Sequence, residues 1–107
     1  MDKSLGNIDW SKSATDIHNL IRGVNPWPSA YTTYDKQTMK IWKTKVLDKL
    51  SEKTPGTILS VDKNGIEVST GDKVLQISEI QMSGKKRMIV SEYIKGNDIS
   101  TGIVLGI

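Results

Sequence analysis

The sequence predicts a mainly β domain, with one helix near the N-terminus and a short helix near the C-terminus. A segment of helical hydrophobic periodicity comes first, and about five segments typical of strands follow at hairpin spacing. The chain has 107 residues and 36% hydrophobic content, which suits one small core. Five twisted antiparallel strands with bulges favour a small OB-like β-barrel. A split antiparallel sheet covered by the first helix is the alternative.

The first helix is predicted over residues 14–22. Ser13 is a favoured N-cap residue, and Asp16 adds an acidic group in the first turn. Gly23 suits a left-handed stop at the C-terminal end. The apolar residues repeat at helical spacing, at Ile17, Leu20, Ile21 and Val24.

A rigid corner, Asn25-Pro26-Trp27-Pro28, links this helix to the first strand. Each proline fixes its own φ at about −65° and moves the preceding residue out of the α region. Asn25 and Trp27 are therefore predicted to be extended. Trp27 is interpreted as a structural wedge in the corner, in preference to a base-stacking platform.

Two hairpins are predicted after the corner. The first joins residues 31–34 to residues 38–47 through a short turn. The second joins residues 57–61 to residues 66–70, and its Asn64-Gly65 pair supplies the positive φ that a tight turn needs. Both hairpins are antiparallel by construction, which favours an antiparallel sheet.

The remaining elements are less regular. A strand is predicted over residues 74–82, followed by a basic loop and a short helix over residues 91–95. Residues 101–107 form either a final short strand or an apolar strap. Before the first helix, Ile8 and Trp10 are predicted to anchor an irregular lead-in.

Composition excludes several classes of protein. The chain has no cysteine, which removes disulfides, thiolate metal sites and cysteine nucleophiles and fits a reducing cytoplasm. No run approaches the roughly 20 apolar residues that span a bilayer, and the first residues lack the apolar core of a signal peptide. These features predict a cytoplasmic domain with no membrane partner.

The sequence offers little for catalysis. His18 is the single histidine, and it is interpreted as a surface or interfacial residue. Neither a second histidine nor a cluster of acids completes a metal site. The hydroxyl residues lie in predicted strands and turns without a general base. We therefore predict no catalytic, metal-binding or cofactor-binding residue in this chain.

Positive charge is concentrated in two segments, within a formal net charge of +3. Residues 36–53 carry six lysines against two acids, and residues 85–95 carry four cations against one acid. If the fold brings these segments together, they form one basic face. Around Trp42 the pattern fits either a strand that follows an RNA backbone or a core tryptophan between solvated lysines. Alternation also changes phase there, which predicts a bulge near Trp42-Lys43.

A set of short motifs follows in a fixed order along the chain, from Ile8 to Gly96. Its elements are Ile8-Asp9-Trp10, Ser13-Ala14, Ile17, Ile21-Arg22-Gly23, Asn25-Pro26-Trp27-Pro28, Ala30-Tyr31-Thr32, Lys40-Ile41-Trp42, Pro55-Gly56-Thr57-Ile58, Gly65-Ile66, Gly71-Asp72 and Gly84-Lys85-Lys86-Arg87-Met88. This ordered set resembles a known family, the C-terminal domain of methionyl-tRNA formyltransferase.

The resemblance implies a division of labour. In that family an N-terminal catalytic domain uses 10-formyltetrahydrofolate, and an OB-like C-terminal domain helps to hold initiator methionyl-tRNA for formylation of the methionyl amine. Residues 1–7 are then expected to be an interdomain linker remnant, and residues 8–107 the tRNA-binding domain. The catalytic domain is absent from this sequence, and His18 matches no catalytic position of the family.

The resemblance also nominates residues for RNA contact. The candidates are Arg22, Lys40, Lys43, Lys45, Lys85, Lys86 and Arg87. The competing hypothesis is a structural C-terminal module of a sugar-nucleotide or folate-linked formyltransferase, which binds no nucleic acid. A free-standing single-strand-binding OB protein is disfavoured, because phenylalanine is absent and Trp27 is interpreted as structural.

Overall fold

The computed structural model describes residues 6–25 and 29–106. Within these ranges the mainly β class, the N-terminal helix and the short C-terminal helix are confirmed. The elements are α1 (Ala14–Val24), β1 (Tyr31–Tyr34), β2 (Gln37–Leu47), β3 (Ile58–Asp62), β4 (Gly65–Ser69), β5 (Val74–Met82), β6 (Met88–Ile89) and α2 (Val90–Tyr93). Most of the proposed linker and the predicted conformation and role of Trp27 lie outside the described residues.

The strands form one antiparallel sheet in the order β1-β2-β5-β4-β3, and β6 pairs with β5. The sequence predicts five strands and does not predict β6, because a strand of two residues is too short to show an alternation of apolar and polar residues. The prediction of a barrel needs correction, since no pairing joins the edge strands β1 and β3 in the described part of the chain. The sheet is therefore open.

A C-terminal strap connects the two edges of the open sheet. At the β3 edge, the Ile58 N–H donates to the Ile103 carbonyl at 2.9 Å, and the Leu105 N–H donates to the Gly56 carbonyl at 2.8 Å. At the β1 edge, the Gly106 N–H donates to the Thr33 carbonyl at 2.9 Å. The strap is not a strand, because positive φ angles at Gly102 and Gly106 (85° and 87°) interrupt the extended backbone.

Helix α1 begins as predicted and ends two residues later. The Ser13 hydroxyl accepts from the Asp16 N–H at 3.1 Å, which confirms the N-cap. Gly23 is not the predicted left-handed stop, because the helix continues through Val24, which packs against the core. The helix ends at Asn25, whose extended backbone (φ −84°, ψ 143°) matches the restriction before a proline.

The two hairpin turns use positive φ differently. In the β1–β2 turn, Asp35 and Lys36 have φ values of 46° and 68°, as a two-residue turn of type I′ requires. In the β3–β4 turn, the positive φ falls on Gly65, at 137°, as the first residue of β4. Both predicted hairpins are confirmed, and β3 and β4 each lie one residue from their predicted limits.

The core lies between α1 and the inner face of the sheet. Helix α1 buries Ala14, Ile17 and Ile21, and strands β2 and β5 bury Met39, Ile41, Leu75, Ile77, Ile80 and Met82. The predicted anchors Ile8 and Trp10 are buried as well, each 5% exposed. Among the described residues, no helix combines the length and the apolar character that a membrane span needs.

Candidate nucleic-acid interface

Strands β2 and β5 change hydrophobic phase at the same level of the sheet. Ile41 pairs with Ile80, Thr44 pairs with Ile77, and the register shifts on both sides of Lys43. The predicted bulge near Trp42-Lys43 is therefore confirmed. Two successive residues of each strand lie between these pairs: Trp42 and Lys43 on β2, and Ser78 and Glu79 on β5.

This phase change places the lysines of β2 on one face of the sheet. Lys40 lies before the bulge, whereas Lys43 and Lys45 lie after it, and all three are exposed. Strict alternation would instead turn Lys40 and Lys43 to opposite faces. The other side of β2 meets α1, where His18 Nδ1 lies 2.7 Å from Thr44 Oγ1.

The open question about Trp42 is decided by its contacts. Its side chain is half-buried and lies outside the hydrophobic core. The Arg87 guanidinium carbon lies 4.4 Å from the centroid of the Trp42 ring, which is a cation–π distance. The Trp42 indole Nε1–H donates to Gln81 Oε1 at 3.1 Å. We call this pairing of guanidinium and indole the Arg87–Trp42 stack.

Glu79 connects the two basic segments. Its carboxylate accepts from Arg87 Nε at 2.6 Å and from Arg87 Nη2 at 3.3 Å. Lys43 Nζ lies 3.8 Å from the same carboxylate. The fold therefore brings Lys43 and Arg87 together, with one acid between them. The sequence analysis does not predict a role for Glu79. The only signal near it is the three-residue spacing of Ile77 and Ile80, which breaks the period of two expected in a strand.

Lys85 is held by β5, by α2 and by the segment that follows α2. Its ammonium group donates to Asn97 Oδ1 at 3.2 Å and lies 5.9 Å from the centroid of the Tyr93 ring. Its carbonyl accepts from Gln81 Nε2 at 3.2 Å, so Gln81 joins Trp42 to the loop. Lys40 and Lys85 line one open depression of about 340 Å³ beside Gln81.

The side chains of the other candidate cations have no partner among the described residues. Within residues 6–25 and 29–106, Lys40, Lys45 and Lys86 make no side-chain hydrogen bond or ion pair. Arg22 is exposed on the last turn of α1 and has no such contact with the rest of the described chain. We define the basic face as the outward residues of β2 together with the cations of the loop between β5 and β6: Lys40, Trp42, Lys43, Lys45, Lys85, Lys86 and Arg87. Arg22 lies outside it.

The Arg87 hydrogen bond, with added attraction from the Arg87 and Lys43 charges, lowers the pKa of Glu79 below its ordinary value of 4.5. A carboxyl whose pKa is lower when folded stabilises the protein above its unfolded pKa, and this contribution disappears as pH falls through the folded pKa. We expect Glu79→Gln to lower the free energy of unfolding by roughly 0.5–1 kcal/mol at pH 7, because Arg87 is partly exposed to solvent.

Urea denaturation of the parent chain and of Glu79→Gln between pH 7 and pH 3 measures this difference. The gap between the two proteins should close as pH falls below 4.5. Other titrating acids, including Asp9, affect both proteins alike and cancel in the difference. A gap that stays constant over the whole pH range would contradict the assignment of this ion pair.

Comparison with known proteins assigns the chain to a family. A family model described as the formyl transferase C-terminal domain matches residues 1–98. The chain is 71% identical over 106 residues to the methionyl-tRNA formyltransferase of Clostridioides difficile (strain 630), covering 99% of this chain and 34% of that protein. It is 53% identical over 105 residues to the methionyl-tRNA formyltransferase of Clostridium novyi (strain NT), again covering 34% of the relative.

The chain thus spans about a third of the length of these relatives. Among solved structures, a variant of HypX from Aquifex aeolicus superposes with a TM-score of 0.72 at 16% identity, covering 91% of this chain and 18% of that chain. That likeness concerns the fold alone. Since the family model matches most of its length, the chain belongs to the formyl transferase C-terminal domain family.

Proposed function

We propose that this chain is the tRNA-holding domain of a cytoplasmic methionyl-tRNA formyltransferase. In this proposal an N-terminal domain of the same protein binds 10-formyltetrahydrofolate and transfers the formyl group to the methionyl amine of initiator methionyl-tRNA. The names of the similar proteins support the substrate class, and their greater length leaves room for a catalytic domain. The observation that carries the proposal is the basic face, where two separate cationic segments meet.

The basic face is suited to the RNA backbone. The ammonium groups of Lys40, Lys45 and Lys86 have no partner among the described residues, so they can neutralise phosphates and release counterions. Backbone contacts of this kind position an RNA and specify little of its sequence. The domain therefore contributes grip and orientation, while the chemistry belongs to the separate catalytic domain.

A second function has one observation in its favour. Glu79 neutralises Arg87 and approaches Lys43, and Lys85 is bound to Asn97. Three of the seven candidate cations are therefore engaged within the fold. This arrangement also suits a structural module of a sugar-nucleotide or folate-linked formyltransferase that binds no nucleic acid.

The double variant K40E/K86E separates the two functions. Both side chains lack partners in the described ranges, so charge reversal removes no internal contact. We expect binding to initiator methionyl-tRNA to weaken about tenfold at low salt, and the salt dependence to become less steep by about one unit of slope per lysine. Equilibrium binding of the chain over a salt series measures both quantities.

The matched control is K12E/K53E, which changes the same charge at a different place. The Lys12 carbonyl accepts from the Gly71 N–H at 2.9 Å, and the Lys53 carbonyl accepts from the Ser69 hydroxyl at 3.0 Å. Both residues therefore lie near the start of β5, whereas the basic loop follows the end of β5. This control should leave tRNA affinity within about twofold of the parent chain. Equal losses in both variants, or no salt dependence in the parent chain, would favour the structural module.

A further inference from the structure

We propose that the Arg87–Trp42 stack is a platform for one unpaired nucleotide, whose base stacks on the open face of the Arg87 guanidinium. This inference deepens the proposed function and rests on it. It assigns the platform to single-stranded RNA, and it assigns the duplex backbone to Lys40, Lys45 and Lys86, which have no partner among the described residues.

The guanidinium of Arg87 is held on one face and along one edge. The guanidinium carbon lies over the Trp42 ring, 4.4 Å from its centroid, and the Glu79 carboxylate accepts from both Nε and Nη2. The Arg87 side chain nevertheless remains 44% exposed. Planar guanidinium groups stack on unpaired bases in RNA-binding proteins. A base on the exposed face would complete a three-layer stack.

Hydrogen bonds of Gln81 also hold the platform in place before any base binds. The Trp42 indole is tied to Gln81 at 3.1 Å, and Gln81 is tied to the Lys85 carbonyl at 3.2 Å. Neither ring nor guanidinium needs to be ordered when a base arrives, which lowers the entropic cost of binding. In this proposal the half-buried Trp42 ring supports the Arg87 guanidinium on the side away from the base.

Glu79 argues for a base and against a phosphate on Arg87. Its carboxylate lies 2.6 Å from Arg87 Nε and neutralises the guanidinium, and it also repels a nearby phosphate. Stacking on the guanidinium plane does not require net positive charge. The uncommitted Lys40 and Lys86 provide that charge for the flanking phosphates.

The test compares two short probes with equal numbers of phosphates. One is single-stranded hexaadenylate RNA, and the other is a hexamer of abasic ribose-phosphate units. We expect the chain to bind hexaadenylate about tenfold more tightly, since base stacking accounts for a factor of this order. Hexaadenylate should also shift the NMR signals of the Arg87 Nε–H and the Trp42 indole N–H, and the abasic hexamer should not.

Two variants localise the effect. Arg87→Lys keeps the charge but removes the plane, so we expect it to lose the preference and to keep its affinity for the abasic hexamer. The control Lys86→Ala should weaken binding of both probes equally and keep the preference. Equal binding of both probes by the parent chain would overturn the platform, and so would an Arg87→Lys variant that keeps the preference. The comparison in the parent chain needs no variant to fold.

Binding of initiator methionyl-tRNA, measured in parallel, separates the two proposals. Salt-dependent tRNA binding without a preference for hexaadenylate would remove the platform and leave the proposed function intact. A preference for hexaadenylate without tRNA binding at any salt concentration would remove the proposed function and keep a single-strand platform.

Discussion

Gly65→Ala is expected to lower the free energy of unfolding by about 3 kcal/mol. A Cβ atom at Gly65 would lie 2.3 Å from the Ile77 carbonyl oxygen and 3.0 Å from its carbonyl carbon. Both atoms belong to the backbone of β5, so relief requires separation of β4 from β5. The φ of +137° adds strain that only glycine avoids. Urea denaturation followed by tryptophan fluorescence measures the loss.

Gly84→Ala is the matched control for this variant. Gly84 also has positive φ, at +77°, but its added Cβ would meet no described atom within 4 Å beyond its own chain neighbours. This control should lose only about 1 kcal/mol, the cost of an unfavourable φ alone. If the two alanine variants unfold at the same urea concentration, the contact with Ile77 does not have the importance assigned to it.

Ile80→Ala is expected to lower the free energy of unfolding by about 2–5 kcal/mol. Ile80 is fully buried at 0% exposure and pairs with Ile41 at the last inward-facing pair before the bulge. Truncation leaves a cavity on the buried side of β5, directly after Glu79 in the strand. The same urea titration measures the loss, and the slope of unfolding free energy against urea should stay unchanged.

Ile89 offers a control of the same residue type close by. It pairs with Glu79 from β6, but its side chain is 49% exposed. Ile89→Ala should change stability by no more than about 0.5–1 kcal/mol. Comparable losses at Ile80 and Ile89 would show that the core beneath the bulge is looser than its burial indicates.

The structure divides the candidate RNA contacts into cations that also make contacts within the fold and cations that do not. Lys43, Lys85 and Arg87 carry internal contacts, so under the proposed function we expect their substitution to affect both stability and RNA binding. Lys40 and Lys86 make no such contact within the described residues, so their substitution tests the proposed RNA binding with little structural consequence. Arg22, on α1, is the candidate that the described contacts leave apart from the basic face.

Several features of this protein were determined by its sequence alone, because their signals act over a few residues. The Ser13 cap, the extended backbone at Asn25 and the positive φ at Gly65 are all local requirements of backbone geometry. The phase change around Trp42 was readable for the same reason, since strand alternation is itself local. Gly23 is the local signal that failed, because packing of Val24 extended the helix.

Only the tertiary structure decided what surrounds the basic face. Pairing of β2 with β5 sets Glu79 against Lys43, and the return of the chain in β6 brings Arg87 to the same carboxylate. The sheet is open because no pairing joins β1 to β3 in the described part of the chain, and the strap is hydrogen-bonded to both of these edges. Contacts between distant segments depend on register and on which strands become neighbours, and no short stretch of sequence specifies either.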